Sequence, residues 1–473
     1  MKKNYLLCIG LLGLAITTLQ AQSYTLLKAL GGVQITGKYP QRNLVILGKH
    51  LYGMTSAGGT YNYGTLFTVD TNGNGFKRIV DFDPATNGGA GPSGSLTLVG
   101  NKLFGMTYAS GGPGGGLIFS VDTDGTNFTT LHGFGSGSDG SKPRESLTLV
   151  GNTLFGTCEQ GGTFGYGTIF SISTGGGSYK VLLNFNDTNG MEPICNLVPV
   201  GKRLYGTAFY GGAGGSFNGC IYSIDISGTN DTVIHTFDNT NGANPFGSVT
   251  IAGNTIFGTT EFGGSSSKGV IYSLKTDGSG FKLLSNSGGQ YTGDPIISGG
   301  ALYEMSAVGG ISGDGVVFSL DTNGSNYNQI ISFSGNTGTY PGALPYGGLL
   351  NAGGTFYGMT MNGGVNDSGV VFKLRPGPTA VNEISSSKSD NVLIYPNPND
   401  GNFNLVIRNK ASNDKNILEV YNLLGKKLFS QNLDNSQITN PVNMSSYVSG
   451  IYFYRVLSEK GILIGQGKLV KEN

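Results

Sequence analysis

Short apolar runs separated by glycine-rich turns fill residues 40–374. The runs of LFGMT type start at Leu51, Leu103, Leu154, Leu204, Ile256, Leu302 and Phe356, about fifty residues apart. A glycine lies three residues before each start: Gly48, Gly100, Gly151, Gly201, Gly253, Gly299 and Gly353. An aromatic follows sixteen residues after each start (eighteen in the fourth copy), at Phe67, Phe119, Phe170, Tyr222, Tyr272, Phe318 and Phe372. A proline recurs once per copy, at Pro40, Pro92, Pro143, Pro193, Pro245, Pro295 and Pro345. Each copy predicts four short strands, here lettered a to d. In the second copy they are SLTLV, KLFGMT, LIFSVD and NFTTLHGF. Gly100-Asn101 turns a into b, and the DTDG at 122–125 turns c into d.

Four antiparallel strands in about fifty residues make a propeller blade. The fold expected is therefore all-β: a seven-bladed β-propeller over residues 22–375. The seventh copy stops after strand c, because Arg375-Pro376-Gly377-Pro378 cannot start a paired strand. Residues 23–30 carry the strand-d pattern ahead of the first strand a. They are expected to complete the last blade, which leaves no open sheet edge.

Composition agrees with a folded glycine-rich chain. The 473 residues include 83 Gly, yet 38% are apolar, with 24 Tyr and 25 Phe. Disordered segments lack that content. Charged residues are 12% and the net charge is +1, which gives no electrostatic case for nucleic acid or an anionic membrane. Residues 1–21 read as a secretory signal peptide: Lys2 and Lys3, a short apolar stretch, then Ala21-Gln22 for cleavage. No later segment is long and apolar enough to span a bilayer. The mature chain keeps Cys158, Cys195 and Cys220, which allow at most one internal bridge and read as small buried residues.

The pattern [LI]-[FY]-G-[MT]-T, then GG, then G-x-[IVL]-[FY]-S over residues 40–374 resembles the bacterial GloVer tandem repeats of choice-of-anchor exported proteins. That resemblance implies fold and export context, and no activity. Composition shifts at 376–390, a Pro/Ser-rich linker. Residues 391–473 predict six or seven short strands, a small β-sandwich. Tyr395-Pro396-Asn397-Pro398, Gly401-Asn402-Phe403, the V-Y-N-x-x-G-K run at 420–426, the segment 444–452 and Gly467-Lys468-Leu469-Val470-Lys471 are similar to the type A C-terminal sorting domain of the Bacteroidota type IX secretion system. The resemblance implies passage through the periplasm, recognition of residues 391–473 by the translocon, and release or attachment at the cell surface.

Candidate chemistry is sparse. The DTDG and DTNG turns lack the spaced carboxylates and the glutamate of a calcium loop and are expected to be hairpin turns. His132 and His235 are assigned to one strand-d position together with Asp81, Asn184, Ser285 and Ser332, a solvated face. No Ser-His-Asp or Cys-His set can be assembled, so no catalytic residue, metal or cofactor is expected. The positions after strand b vary most. Glu159, Gln160, Phe209, Tyr210, Glu261 and Phe262 are expected to gather on the loop face of the third to fifth blades as a ligand site. Two readings stay open. One is a secreted binding or scaffolding module for a glycan or a protein. The other is a carbohydrate-active enzyme, a glycoside hydrolase or lyase, with Glu159 and Glu261 as acid and base; that chemistry needs carboxylates within roughly 5–9.5 Å, which residues two blades apart do not fix by spacing.

Overall fold

Each sequence copy folds as one antiparallel sheet. The first comprises Val45–Leu47, His50–Thr55, Thr65–Asp70 and Lys77–Asp81, paired in that order. Five further sheets of the same order span residues 89–133, 148–184, 198–236, 250–285 and 296–332. A seventh joins Leu350–Ala352, Thr355–Thr360 and Val370–Arg375 to Ser23–Ala29. The computed structural model describes residues 22–31, 36–40, 42–110, 115–135, 137–215, 217–286, 289–291, 293–377, 392–407, 416–422, 427–434, 437, 439–458 and 463–472. The expected signal peptide, and the expected linker beyond residue 377, lie outside them. The chain divides into two units, Met1–Gly377 and Pro378–Asn473.

In the seventh sheet Ser23 pairs with Arg375 and Ala29 with Val370. The register slips between Leu26 and Lys28, opposite Phe372 and Val371. The fourth strand of the first sheet slips at the same place, opposite Phe67 and Leu66. The N-terminal strand is thus a strand d down to its bulge.

Glycine does two jobs here. In the a–b hairpins Gly48, Gly100, Gly151, Gly201, Gly253, Gly299 and Gly353 all have φ between 59° and 62°, where a Cβ is disfavoured. In strand b the glycine makes room for an aromatic: a Cβ on Gly105 would lie 2.5 Å from the ring tip of Phe119. The sixth sheet breaks this rule with Glu304, which is buried and accepts a 3.1 Å hydrogen bond from Thr259 Oγ1. Burial, with Asp294 nearby, holds its carboxyl well above the ordinary range. A raised acid keeps its proton in the fold, so its full contribution to stability exists below pH about 4.3 and is lost as pH rises. Glu304→Gln keeps an acceptor for Thr259 and removes the titration. Its urea midpoint should exceed that of the wild type at pH 7.5 and match it at pH 4. Equal midpoints at both pH values would contradict this account.

Apolar clusters lie between successive sheets. The closing Phe of strand d meets the strand-c aromatic of the next sheet edge-on or tilted: Phe82 with Phe119, Phe134 with Phe170, Phe185 with Tyr222, Phe237 with Tyr272, and Phe333 with Phe372. Leu284 and Phe318 share the cluster of the fifth and sixth sheets. Leu27, Tyr357 and Val371 of the seventh sheet pack with Leu51 and Phe67 of the first. Each such fully buried ring contributes about 1.5–3 kcal/mol. Cys158, Cys195 and Cys220 are free thiols within this packing. Burial raises Cys195 to about 11 and Cys220 to about 12.

Two expectations need correction. Six of the recurrent prolines lie against the glycine that leads into strand c of the preceding sheet; a Cβ on Gly64 would be 2.5 Å from Pro92 Cδ. Pro295 does not share this role. It follows Asp294, and Tyr291 holds the place that corresponds to the other prolines. His132 and His235 are not on a solvated face with Asp81 and Asn184. They pair with Ile118 and Ile221, as Val80 pairs with Leu66, whereas Asp81 pairs with Thr65. One residue along a strand is the opposite face. His132 stacks on Tyr179 at 3.8 Å and His235 on Phe281 at 4.2 Å, each between neighbouring sheets. The turns after strand c are hairpins: Gly125 N donates to Asp122 O, and the Asp122 carboxylate is held by Lys102 and Asn127.

The second unit has a three-stranded sheet, ordered Val392–Tyr395, Asn402–Ile407, Thr439–Asn443. Its four-stranded sheet runs Lys427–Leu433, Asn416–Tyr421, Gly450–Ser458, Leu463–Lys471. Phe403, Leu418, Val420, Met444, Tyr452 and Leu469 form the core. The YPNP segment is a joint: Asn397 Nδ2 donates to Lys468 O (2.7 Å) and its Oδ1 accepts from Val470 N (2.8 Å). Glu419 accepts from Tyr421, Lys427 and Arg455, which bring its carboxyl down to about 2.

Candidate functional site: the loop face and its mouth

Two residues ahead of each first strand's Thr, Val, Ile or Leu start lies a polar residue or glycine; in the second sheet Ser95 holds the place. Asn43 N donates to Ser95 Oγ (2.8 Å), and Ser95 N to Ser146 Oγ, Ser146 N to Asn196 Oδ1, Asn196 N to Ser248 Oγ and Ser248 N to Asp294 Oδ1 (each 2.7 Å). Gly348 N donates to Asn43 Oδ1, a link from the seventh sheet to the first. Asp294 Oδ2 also accepts from Asn43 Nδ2 (3.0 Å) and Asn196 Nδ2 (3.1 Å). One carboxylate therefore ties the sixth sheet to the first, fourth and fifth.

The next layer is one residue earlier in each copy. Space is so short that a Cβ on Gly247 would lie 2.0 Å from Gly293 O, and one on Gly347 2.8 Å from Arg42 C. Within this layer Arg42 and Glu145 form a buried ion pair, 8% and 2% exposed. Burial pushes the Glu145 carboxyl up to about 8 against the pull of Arg42. Phe246 covers the pair, its ring centroid 4.9 Å from Arg42 Cζ and 5.9 Å from Arg144 Cζ. Arg144 is ion-paired with Glu159 at 3.1 Å, and its guanidinium lies 6.0 Å from the Tyr108 ring. Phe209 meets Phe246 at 6.1 Å and Tyr210 at 4.7 Å. Glu261 and Glu192 are half-buried nearby. Burial raises both carboxyls, and Arg144 opposes the rise in each.

A strained residue positions this cluster. Tyr39, Lys142, Glu192, Asn244 and Leu344, each just before a proline, have φ between 52° and 61°. Gly91 holds the same place in the second sheet at 58°. Glu192 N donates to Tyr166 O (2.9 Å) in the loop of the preceding sheet, and Glu192 O accepts from Phe209 N (3.1 Å) of its own sheet. Lys142 and Asn244 join their neighbours in the same way. These bonds bring the b–c loop of one sheet beside the d–a segment of the next. A non-glycine residue in the left-handed region costs about 1–2 kcal/mol, which these two bonds offset.

The structure brings Glu159, Phe209 and Glu261 to one group through Arg144 and Phe246. Gln160, Tyr210 and Phe262 are the second members of their pairs and bridge by backbone to Ser141, Met191 and Ala243; the Phe262 side chain is exposed. Sequence reasoning missed Arg42, Arg144, Glu145, Glu192 and Phe246. All lie next to the recurrent proline, or two places beyond it, so the changing residues around that proline were the available signal. The b–c loops are also apolar at their tips. Among the described residues of the first unit, Tyr61, Tyr63, Phe164, Tyr166, Phe217, Phe262, Ile311 and Val365 are exposed large apolar side chains in these loops. Leu26, Val200, Leu283 and Tyr327 are the exposed ones elsewhere in it. No group of three metal-ligating side chains occurs among the described residues.

The Gloeobacter/Verrucomicrobia repeat model matches residues 15–217 and 212–392. The chain belongs to this repeat family. The model of the secretion system C-terminal sorting domain matches residues 393–472, and that domain directs export by type IX secretion to the cell surface or medium. No curated protein matches the chain. Among solved structures the repeat protein is similar to an oligogalacturonate lyase in complex with manganese, at 11% identity and TM-score 0.49, covering 76% of this chain and 98% of the other. It is also similar to a Mycobacterium tuberculosis puromycin-hydrolyzing peptidase, at 11% identity and TM-score 0.47, covering 78% and 58% respectively. No helix among the described residues is long and apolar enough to cross a membrane.

Proposed function

We propose that this repeat protein is an exported binding module. Residues 22–375 form a closed seven-bladed propeller that presents a ligand site on its loop face, and 376–390 link it to the sorting domain at 391–473. Closure is supported by the pairing of Ser23–Ala29 with Val370–Arg375, by the apolar cluster shared by the seventh and first sheets, and by the Gly348–Asn43 link. The ligand, a glycan or a protein, meets Glu159, Gln160, Phe209, Tyr210, Glu261 and Phe262 around the mouth.

The observation that carries the binding reading is the concentration of exposed aromatic and aliphatic side chains on the b–c loops, where a merely structural rim has no use for them. The test is to screen the purified secreted chain on glycan and peptide arrays. Tyr166→Ser with Phe217→Ser should weaken the best hit at least tenfold, and Leu283→Ser with Tyr327→Ser, exposed on and just before fourth strands, should leave it unchanged. Equal effects of the two pairs would overturn the assignment of the face. The enzyme reading has one observation in its favour: Glu159 is ion-paired while burial raises Glu261, which sets two carboxyls in different environments. Turnover of an array hit that is lost in Glu261→Gln would establish it.

A further inference from the structure

The mouth holds an unbalanced set of charges. Four carboxyls, Glu145, Glu159, Glu192 and Glu261, feel Arg144, and Lys142 also acts on Glu192; only Glu159 lies within ion-pair distance of Arg144. Glu192 and Glu261 are half-buried and make no ion pair among the described residues. A carboxylate taken part-way out of water without a partner is costly, and a cation brought by a ligand removes that cost. Phe209 adjoins the same place, its N–H donating to Glu192 O at 3.1 Å, and aromatic rings attract cations; the Phe246 ring is already flanked by Arg42 and Arg144. Glu192 also occupies a left-handed backbone position that the second sheet gives to Gly91 and the fifth to Asn244, residues that tolerate it better. The exposed side chains of the b–c loops, a crown on this face, decide what kind of ligand brings the cation. Ile311 and Val365 are its most and equally second-most exposed members, at 94% and 74%. Branched aliphatic chains offer no flat face to a sugar ring, whereas they suit the apolar side chains of a protein.

We propose that the mouth takes a lysine or arginine side chain of a protein partner, between Glu192 and Glu261 and beside Phe209, while the crown packs on apolar residues around it. This deepens the binding reading and rests on it. The test uses the full secreted chain at about 150 mM salt, where loose surface attraction is screened. The probes are an array of random octapeptides and, beside it, a glucosamine hexamer and an N-acetylglucosamine hexamer. Expected are peptide hits enriched in one Lys or Arg flanked by apolar residues. Acetylation of that lysine should abolish binding, and Glu192→Gln with Glu261→Gln should weaken it at least tenfold. A thermal midpoint close to that of the wild type will show that the double variant is folded. Hits without a Lys or Arg preference, or a preference that survives the double variant, would overturn the proposal. So would binding of the glucosamine hexamer with no peptide hit, which points to an amino sugar and leaves the loop-face reading intact. Absence of any hit on either array would sink both.

Discussion

Arg42→Ala is expected to lower the stability of the repeat unit by about 3–5 kcal/mol. The substitution leaves Glu145 buried at 2% exposure with its ion-pair partner gone, and strips one of two guanidinium groups from Phe246. Burial already raises the Glu145 carboxyl to about 8 with Arg42 present. A folded value above the unfolded one means that stability is full below pH about 4.3 and falls as pH rises through 8. Without Arg42 the carboxyl is harder still to ionise, so the deficit should be level from pH 5 to about 7 and larger at pH 9, where the wild-type carboxylate is ionised beside Arg42 and the variant's is not; pH 5 and pH 9 are compared. Arg42→Met combined with Glu145→Leu removes both charges and should return stability to within about 1 kcal/mol of the wild type, or above it. Urea unfolding at the two pH values measures all three. A deficit below about 1 kcal/mol, or one independent of pH, would contradict the role given to the pair.

Deletion of residues 391–473 is expected to abolish delivery to the cell surface and medium, with the truncated chain retained inside the outer membrane. The matched sorting domain has a three-stranded and a four-stranded sheet with a core of their own, built on Phe403, Leu418, Tyr452 and Leu469. The repeat unit keeps its own clusters of side chains between sheets, so the retained protein should unfold at the wild-type urea midpoint. Protease accessibility on whole cells and a periplasmic extract measure the outcome. Normal surface delivery of the truncated chain would overturn the export route.

Strand order was legible because it rests on local signals. Period-two runs, paired glycines and the aromatic spacing name the four strands of each copy. The strand-d pattern at residues 24–30 marked the partner of Val370–Arg375 from the far end of the chain. Contacts between sheets were not legible. Arg42 and Glu145, or Asn43 and Asp294, come together only because sheets about fifty residues each are set side by side, and no local spacing encodes that. The left-handed residues were hidden for a different reason. A residue before proline is ordinarily extended, so Lys142 and Glu192 gave no hint of positive φ. The proline count misled in one copy, since Pro295 supplied the expected residue at the wrong place while Tyr291 packed against Phe318. The candidate site was half legible: the variable pairs after strand b were visible, and Arg144 and Phe246, which hold them together, were not.

Closure through the N-terminal strand is the claim on which the propeller, its mouth and its crown all depend, and hydrogen exchange of the backbone amides tests it most directly. In the secreted chain, the amides of Ser23–Ala29 that face Val370–Arg375 should exchange far more slowly than those of an unstructured peptide and as slowly as the paired amides of the other fourth strands. Exchange of Ser23–Ala29 at the rate of an unstructured peptide, with Val370–Arg375 still protected, would contradict it.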